Sequence, residues 1–339
     1  MTAMTVIKTD LPNVGSSPLV AARGAEPERT AVPSDVGMAG RVIGAYTVER
    51  ELGQGGMGSV WLARRSDGRS EGHAAIKFLN AGLVSHRDRD RFARDGNFLA
   101  RLAHPNIAHL LDAGITADGA QPYLVLEYID GLPIKRYCEQ HALGLAARVR
   151  LFLDVLAAVA HAHNRLILHR DLKPSNILVT VTVTVTGEVK LLDFGIAKLL
   201  DDATGSTVAT ELTQIGGQAF TLQYAAPEQL QGGDVTTATD VYALGMLLFV
   251  MLGGVHPTAG GTTAALDQMR ALIETEPKRL SDAVLRGGNA GSAAAKLKLS
   301  RALRGDLDNI VVKALKKSPA ERYANAALLA DDLRRYLDD

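Results

Sequence analysis

The sequence predicts an α+β fold of two unequal lobes, a small β-rich one followed by a larger, mainly α-helical one. Three observations predict it. Runs of β-branched and aromatic residues broken by turn residues cluster between Tyr46 and Ile129; apolar residues at helical spacing dominate from Leu145 onward; a short polar stretch, Glu127 to Gly131, stands between the two. At 339 residues and 47% hydrophobic, the chain has enough apolar material to give each lobe a core.

Taken in order, residues 1 to 40 are rich in Pro, Gly, Ser, Thr and Ala and lack any sustained apolar period, which predicts a disordered tail. Tyr46–Leu52 and Ser59–Ala63 read as strands flanking a glycine-rich turn, and His73–Leu79 as a third strand. Arg87–Leu102 sets Phe92, Leu99 and Leu102 at helical intervals, and Pro122–Ile129 reads as a further strand. Helices are expected over Val149–His163, Val241–Leu252, Leu307–Leu315 and Ala327–Leu337. The apolar run Val241–Leu252 falls short of the about 20 residues that span a bilayer, so it is read as a buried core helix. Arg286–Ser300 is small, polar and Gly/Ala-rich, which predicts a mobile loop. The alternating Val-Thr run from Val179 to Gly187 predicts an extended surface hairpin.

Charge and composition exclude several classes. Thirty-seven basic against thirty-seven acidic residues remove any whole-molecule attraction to nucleic acid or an anionic membrane. The single cysteine, Cys138, cannot close an internal disulfide and points to a reducing compartment. No apolar stretch follows Lys8 as a signal peptide requires, and Ala327–Leu337 ends without a membrane anchor. A cytoplasmic location without membrane insertion is the expectation.

Four separated segments carry chemistry. Gly53-Gln54-Gly55-Gly56-Met57-Gly58-Ser59-Val60 places glycines where a backbone can approach phosphate oxygens, although alone such a segment is often only a turn. Ala74-Ala75-Ile76-Lys77 sets a lysine in an apolar strand, where an ammonium wants an anion; a lysine snorkelling from an edge is the plainer alternative. His169-Arg170-Asp171-Leu172-Lys173-Pro174-Ser175-Asn176 gathers a carboxylate able to accept a hydroxyl proton, a cation, and an amide oxygen suited to a hard metal. Lys190-Leu191-Leu192-Asp193-Phe194-Gly195 ends a strand on a carboxylate before a glycine, a placement that suits Mg²⁺.

The order of these segments resembles the eukaryotic-type protein kinase family, and the glycine loop resembles its bacterial serine/threonine members. The resemblance spans about residues 44 to 337. It implies the bilobal protein kinase fold, with the small lobe over 44–128 and the large one over 129–339, and transfer of the ATP γ-phosphate to protein Ser/Thr hydroxyls with Mg²⁺ or Mn²⁺. It further implies that Leu52 and Gly53 to Val60 cover the nucleotide and that Lys77 holds the α- and β-phosphates. Asp171 orients the acceptor hydroxyl, Lys173 balances the γ-phosphate, and Asn176 and Asp193 bind magnesium. Leu126 stands as gatekeeper, the backbone of Glu127 and Ile129 meets adenine, and Val60 and Ala75 pack above the ring. Ala226-Pro227-Glu228 closes the activation segment, Asp240 anchors it, and Arg322 partners Glu228. Lys173 and Thr221-Leu222-Gln223-Tyr224 resemble the serine/threonine branch. Arg170 beside Asp171 implies activation by phosphate on Thr207, Thr210 or Thr213. Protein substrates and a homodimer through the small lobe are the implied partners.

One position departs from the pattern. The helix glutamate that pairs with the strand lysine falls on Asp95, which is followed by Gly96. Asp is shorter by one methylene, roughly 1.5 Å of reach, and Gly costs a helix interior about 1 kcal/mol relative to Ala. The expectation is an active, tightly regulated enzyme. The rival reading is a pseudokinase scaffold, against which Lys77, Asp171, Asn176 and Asp193 all stand; a small-molecule phosphotransferase is the second rival.

Overall fold

A computed structural model describes residues 37–55, 58–69, 71–80, 102–117, 121–180, 187–193, 223–257, 265–287 and 292–339. Its compact unit runs from Met38 to Asp339. The small lobe is a fully antiparallel sheet of β1 (Val42–Ile43), β2 (Tyr46–Gly55), β3 (Gly58–Arg65), β4 (His73–Leu79), β5 (Leu110–Ile115) and β6 (Pro122–Glu127), in the order β1-β2-β3-β4-β6-β5. Residues ahead of the expected start at 44 also join the sheet. Met38 packs on the sheet core, and the Gly40 N–H donates to Val48 O at 2.8 Å, so residues 38–43 are drawn onto β2.

Strand alternation explains how this sheet serves two surfaces. Ala74, Ile76 and Phe78 point to one face and pack with Val48, Trp61, Ala63, Tyr123 and Val125 in the lobe's own core. The intervening Ala75 and Lys77 point the other way, in line with their directly paired neighbours Leu62 and Val60 on β3 and Leu126 and Leu124 on β6. On this second face Leu79 and Leu124 join the core of the large lobe. Gly58 at the start of β3 has φ +138°, and a Cβ there would meet Phe78 O at 1.8 Å. Only glycine lets the hairpin lie this close to β4.

A second sheet holds β7 (Gly131–Pro133), β8 (Ile177–Thr180) and β9 (Val189–Leu191), antiparallel in that order. β8 and β9 pair side by side, with the Thr180 N–H donating to Glu188 O at 2.9 Å; the surface hairpin expected of the Val-Thr run falls mostly on residues 181–186, which lie outside the described residues. The large lobe contains α1 (Ile134–Gln140), α2 (Leu145–His163), α3 (Pro227–Gln231), α4 (Thr237–Gly253), α5 (Ala265–Glu274), α6 (Leu280–Arg286), α7 (Ala293–Leu303), α8 (Asp306–Ala314) and α9 (Ala326–Asp338).

Helix α4 is the hub. Every residue from Ala238 to Gly253 is buried, and α2, α6, α8 and α9 pack around it. An apolar run without an amphipathic stripe has to be surrounded, as the sequence foretold. Thr236 caps its start, accepting from Ala238 N–H at 3.3 Å, and Gly254 ends it at φ 69°. Gly245 permits close approach of α8, since a Cβ there would lie 2.8 Å from that of Ala314. No helix among the described residues is long and apolar enough to cross a membrane.

Helix α7 corrects the loop expected over Arg286–Ser300. The glycines there punctuate, but Ala293-Ala294-Ala295-Lys296-Leu297-Lys298 is a run of strong helix formers with an N-cap. Ser292 supplies that cap, accepting from Ala295 N–H at 3.2 Å, and Lys296 Nζ reaches Gly287 O at 2.6 Å to tie α7 to the end of α6. The Arg87–Leu102 helix lies outside the described residues except for Leu102, which is buried.

Candidate active site

The loop from His169 to Asn176 connects α2 to β8, and its shape is set from beneath by Asp240 on α4. The His169 N–H donates to Asp240 Oδ2 at 2.8 Å, the Arg170 N–H to Oδ1 at 2.9 Å, and His163 Nε2 lies 2.9 Å from Oδ2. Asp240 is 1% exposed. Burial acts to raise its pKa, but the bonds from His163 and the loop outweigh burial and hold it below the ordinary carboxylate range. It is a buried anion whose field and lone pairs are spent on holding the loop.

The same loop pins the chain that carries Asp193. His169 Nε2 donates to Leu192 O at 3.0 Å, and the Leu192 N–H donates to Asn176 O at 2.8 Å. Complete burial lowers the pKa of His169 despite the nearby acids, so the ring stays neutral. Arg170 and Asp193 both adopt left-handed backbone, φ 65° and φ 51°. Such conformations cost a side-chain-bearing residue roughly 1–3 kcal/mol and persist where neighbours over-determine them. Behind Asp193, the Leu191 N–H donates to Asn106 O at 2.8 Å, Asn106 Nδ2 to Val189 O at 3.0 Å, and the Ala108 N–H to Leu191 O at 3.0 Å.

Against this frame sit the residues the sequence singled out. Lys173 Nζ lies 2.8 Å from Asp171 Oδ2, and Asn176 Nδ2 donates to Asp171 O at 2.9 Å and to Oδ2 at 3.2 Å. Lys77 Nζ pairs with Asp193 Oδ2 at 2.8 Å, the two side chains 13% and 27% exposed. The loop, β4 and the end of β9 therefore bring together two carboxylates, two ammonium groups and an amide. No group of three His, Cys, Asp or Glu among the described residues could hold a metal ion. The donor set nevertheless fits Mg²⁺ in its usual mode, in which one or two protein oxygens share the ion with substrate phosphates. The Asp193 carboxylate and the Asn176 amide oxygen are the hard donors for it.

Further out, Val60, Ala75 and Leu126 lie on the sheet face shared by Lys77, and Leu52 is 39% exposed on β2 near the hairpin tip. Gly53, Gln54 and Gly55 pair across the hairpin with Val60, Ser59 and Gly58. The Glu127 carboxylate is committed to Lys190 Nζ at 2.9 Å and to the His109 N–H at 3.1 Å, and the Glu127 N–H donates to His109 O at 2.8 Å. Ile129 follows β6 in the link between the lobes. Gly56, Met57, Asp95, Thr207, Thr210, Thr213 and Thr221 lie outside the described residues.

The expected partner of Glu228 is in place. Arg322 Nη1 and Nη2 meet Glu228 Oε1 and Oε2 at 2.7 and 2.8 Å, and the same guanidinium reaches the carbonyls of Lys316, Lys317 and Ala238. Thr239 Oγ1 adds a bond to Glu228 at 2.8 Å. Burial works against the Glu228 charge, but Arg322 more than compensates and the pKa is lowered. Sequence reasoning missed His163, Lys190, Asn106 and Gln229, all of which act through partners far along the chain.

A glycine hairpin and a strand lysine above a carboxylate loop, between a β lobe and an α lobe, make a site of the phosphoryl-transfer class. The chain belongs to the protein kinase domain family, which it matches over residues 46–333. It is 35% identical over 294 residues to serine/threonine-protein kinase PknJ of Mycobacterium tuberculosis, a match covering 86% of this chain and 45% of that one. It is 32% identical over 301 residues to serine/threonine-protein kinase PrkC of Bacillus subtilis, covering 88% of this chain and 41% of that one. The chain thus spans less than half the length of these curated relatives. Among solved structures, the PknI kinase domain of M. tuberculosis matches with a TM-score of 0.61 and 26% identity, over 88% of this chain and 98% of that one.

Proposed function

We propose that this chain is a serine/threonine protein kinase that uses ATP and a divalent cation, Mg²⁺ or Mn²⁺, to phosphorylate Ser and Thr hydroxyls of proteins. The observation that carries the reading is the contact of Asp171 Oδ2 with Lys173 Nζ at 2.8 Å, beside the Lys77–Asp193 pair at 2.8 Å. Asp171 accepts a hydrogen bond from the incoming hydroxyl and takes its proton, while Lys173, already beside it, offsets charge on the transferred group. Lys77 would hold the α- and β-phosphates, and Asp193 and Asn176 would hold the cation. When bound, the cation neutralises charge that grows on the phosphate oxygens. The segment from Gly53 to Val60 is proposed to cover the phosphates. Val60, Ala75 and Leu126 give the adenine an apolar slot, Leu52 its rim, and the main chain of Glu127 and Ile129 its polar edge.

Asp95 is proposed as the helix partner of Lys77, Thr221 as a substrate-side contact, and Thr207, Thr210 and Thr213 as acceptors of an activating phosphate read by Arg170. A homodimer through the small lobe would promote that first phosphorylation. A free thiol at Cys138 and dependence on ATP favour the cytoplasm. The folded kinase unit is taken as 44–337, extended at its start by the residues that join β2; the tail expected over 1–40 lies outside the described residues up to 36. Incubation with labelled ATP and Mg²⁺, a generic protein substrate and an aminoglycoside panel, beside an Asp171→Asn control, tests the proposal. Label on protein Ser/Thr that vanishes in the control supports it; label on aminoglycosides alone, or none in wild type, removes it.

A further inference from the structure

We infer that Gln229 is a positioning residue for the reaction proposed above, coupling the end of the activation segment to Asp171 through the main chain of Arg170. The inference rests on that reading for its kinetic consequence, and on geometry alone for the coupling. Gln229 lies in α3, directly after Ala226-Pro227-Glu228, and is half-buried. Both ends of its amide are used. Oε1 accepts from the Ala226 N–H at 3.0 Å, and Nε2 donates to Arg170 O at 3.2 Å, across 59 residues of chain.

A residue that merely caps the first turn of α3 needs only the acceptor. The second bond falls on the one residue of the loop held at φ 65°. The Arg170 N–H is already taken by Asp240 Oδ1 at 2.9 Å. The two peptide groups flanking this left-handed residue are therefore gripped from opposite elements, α4 on one side and α3 on the other, and Asp171 is the next residue. Since α3 is itself fixed by the Glu228–Arg322 pair, at 2.7 Å, a shift of the segment that presents substrate is passed to the carboxylate through a single amide. The carboxamide does this because it accepts at Ala226 while donating at Arg170. Gln229→Glu keeps the acceptor and turns the donor into a second acceptor facing Arg170 O; Gln229→Ala removes both.

The test compares wild type, Gln229→Glu and Gln229→Ala by kcat on a generic protein substrate, titration with a fluorescent ATP analogue, thermal melting, and amide hydrogen exchange at Arg170 and Asp171. Both variants are expected to lose kcat by about tenfold or more, since displacing a reactive group by about 1 Å can cost 10²-fold. Their affinity for the ATP analogue stays within about twofold of wild type, because no nucleotide contact is touched, and exchange at Arg170 and Asp171 quickens. Wild-type kcat in Gln229→Glu would mean that only the cap matters and overturns the inference. So would a parallel fall of kcat, nucleotide affinity and melting temperature in both variants, which marks general destabilisation. If wild type transfers no phosphate, the kinase reading fails separately, and unchanged exchange at Arg170 and Asp171 still overturns the coupling.

Discussion

Asp240 and Asp171 lie on the same loop's two sides and are held in opposite ways. Asp240, 1% exposed, receives two loop N–H groups and His163, so its oxygens are spent on structure. Asp171 keeps an exposed edge, its side chain 11% accessible, and its carboxylate is met by the side chains of Lys173 and Asn176 among others. Backbone donors cannot leave; side-chain donors can swing to a substrate. One carboxylate fixes where the loop is while the other is left negotiable, and that division makes the site chemically usable.

The largest break in that comparison is Asp171→Asn. Removing a general base costs roughly 10²–10⁴-fold in rate, while the melting temperature should stay near that of wild type because the fold-bearing bonds belong to Asp240. Steady-state transfer assays beside calorimetry separate the two; a comparable loss of stability would show that Asp171 is also structural. Next in size is Arg322→Ala. Its guanidinium is fully buried against Glu228, and stranding a buried carboxylate costs about 3–5 kcal/mol. The double variant with Glu228→Gln should recover part of this loss in denaturant titrations, because no unpaired charge is left behind. Asp240→Asn is expected to be milder, roughly 1–3 kcal/mol, since the amide oxygen still accepts one N–H. Unlike Asp171→Asn it should lower stability and kcat together.

How much of this was legible beforehand depended on the range of each interaction. Gly53–Val60, His169–Asn176 and Lys190–Asp193 were readable because each packs specific residue types into one short stretch. The hub α4 was readable because an unbroken apolar run can only be buried. By contrast His163 serves Asp240 across 77 residues, and Gln229 serves Arg170 across 59, with no local pattern to betray either. Helix α7 departs from the loop that its Gly/Ala-rich composition predicts, because alanine is the strongest helix former. Strand β5 escaped because Leu110–Ile115 lies at the sheet edge, where burial does not enforce a clean alternation.

The smallest effect concerns pH and separates structural histidines from structural carboxylates. His256 packs edge-on to Tyr224, its Nε2 donates to Gln223 O at 3.0 Å, and burial lowers its pKa from 6.5. The unfolded chain therefore takes up a proton near pH 6.5 that the folded chain still refuses, and stability falls as pH drops from there toward the folded value. His169, also lowered by burial, acts in the same direction. Each such histidine contributes a slope of at most about 1.4 kcal/mol per pH unit. Asp240 and Glu228, both lowered, keep their contribution until pH falls below about 4, the unfolded carboxylate range. Melting temperatures followed from pH 7.5 to 5 should thus decline in wild type and decline less steeply in His256→Phe. An unaltered slope in that variant would show that His256 titrates alike in both states and that the window belongs to His169, His104 and His161, whose pKa values are also lowered.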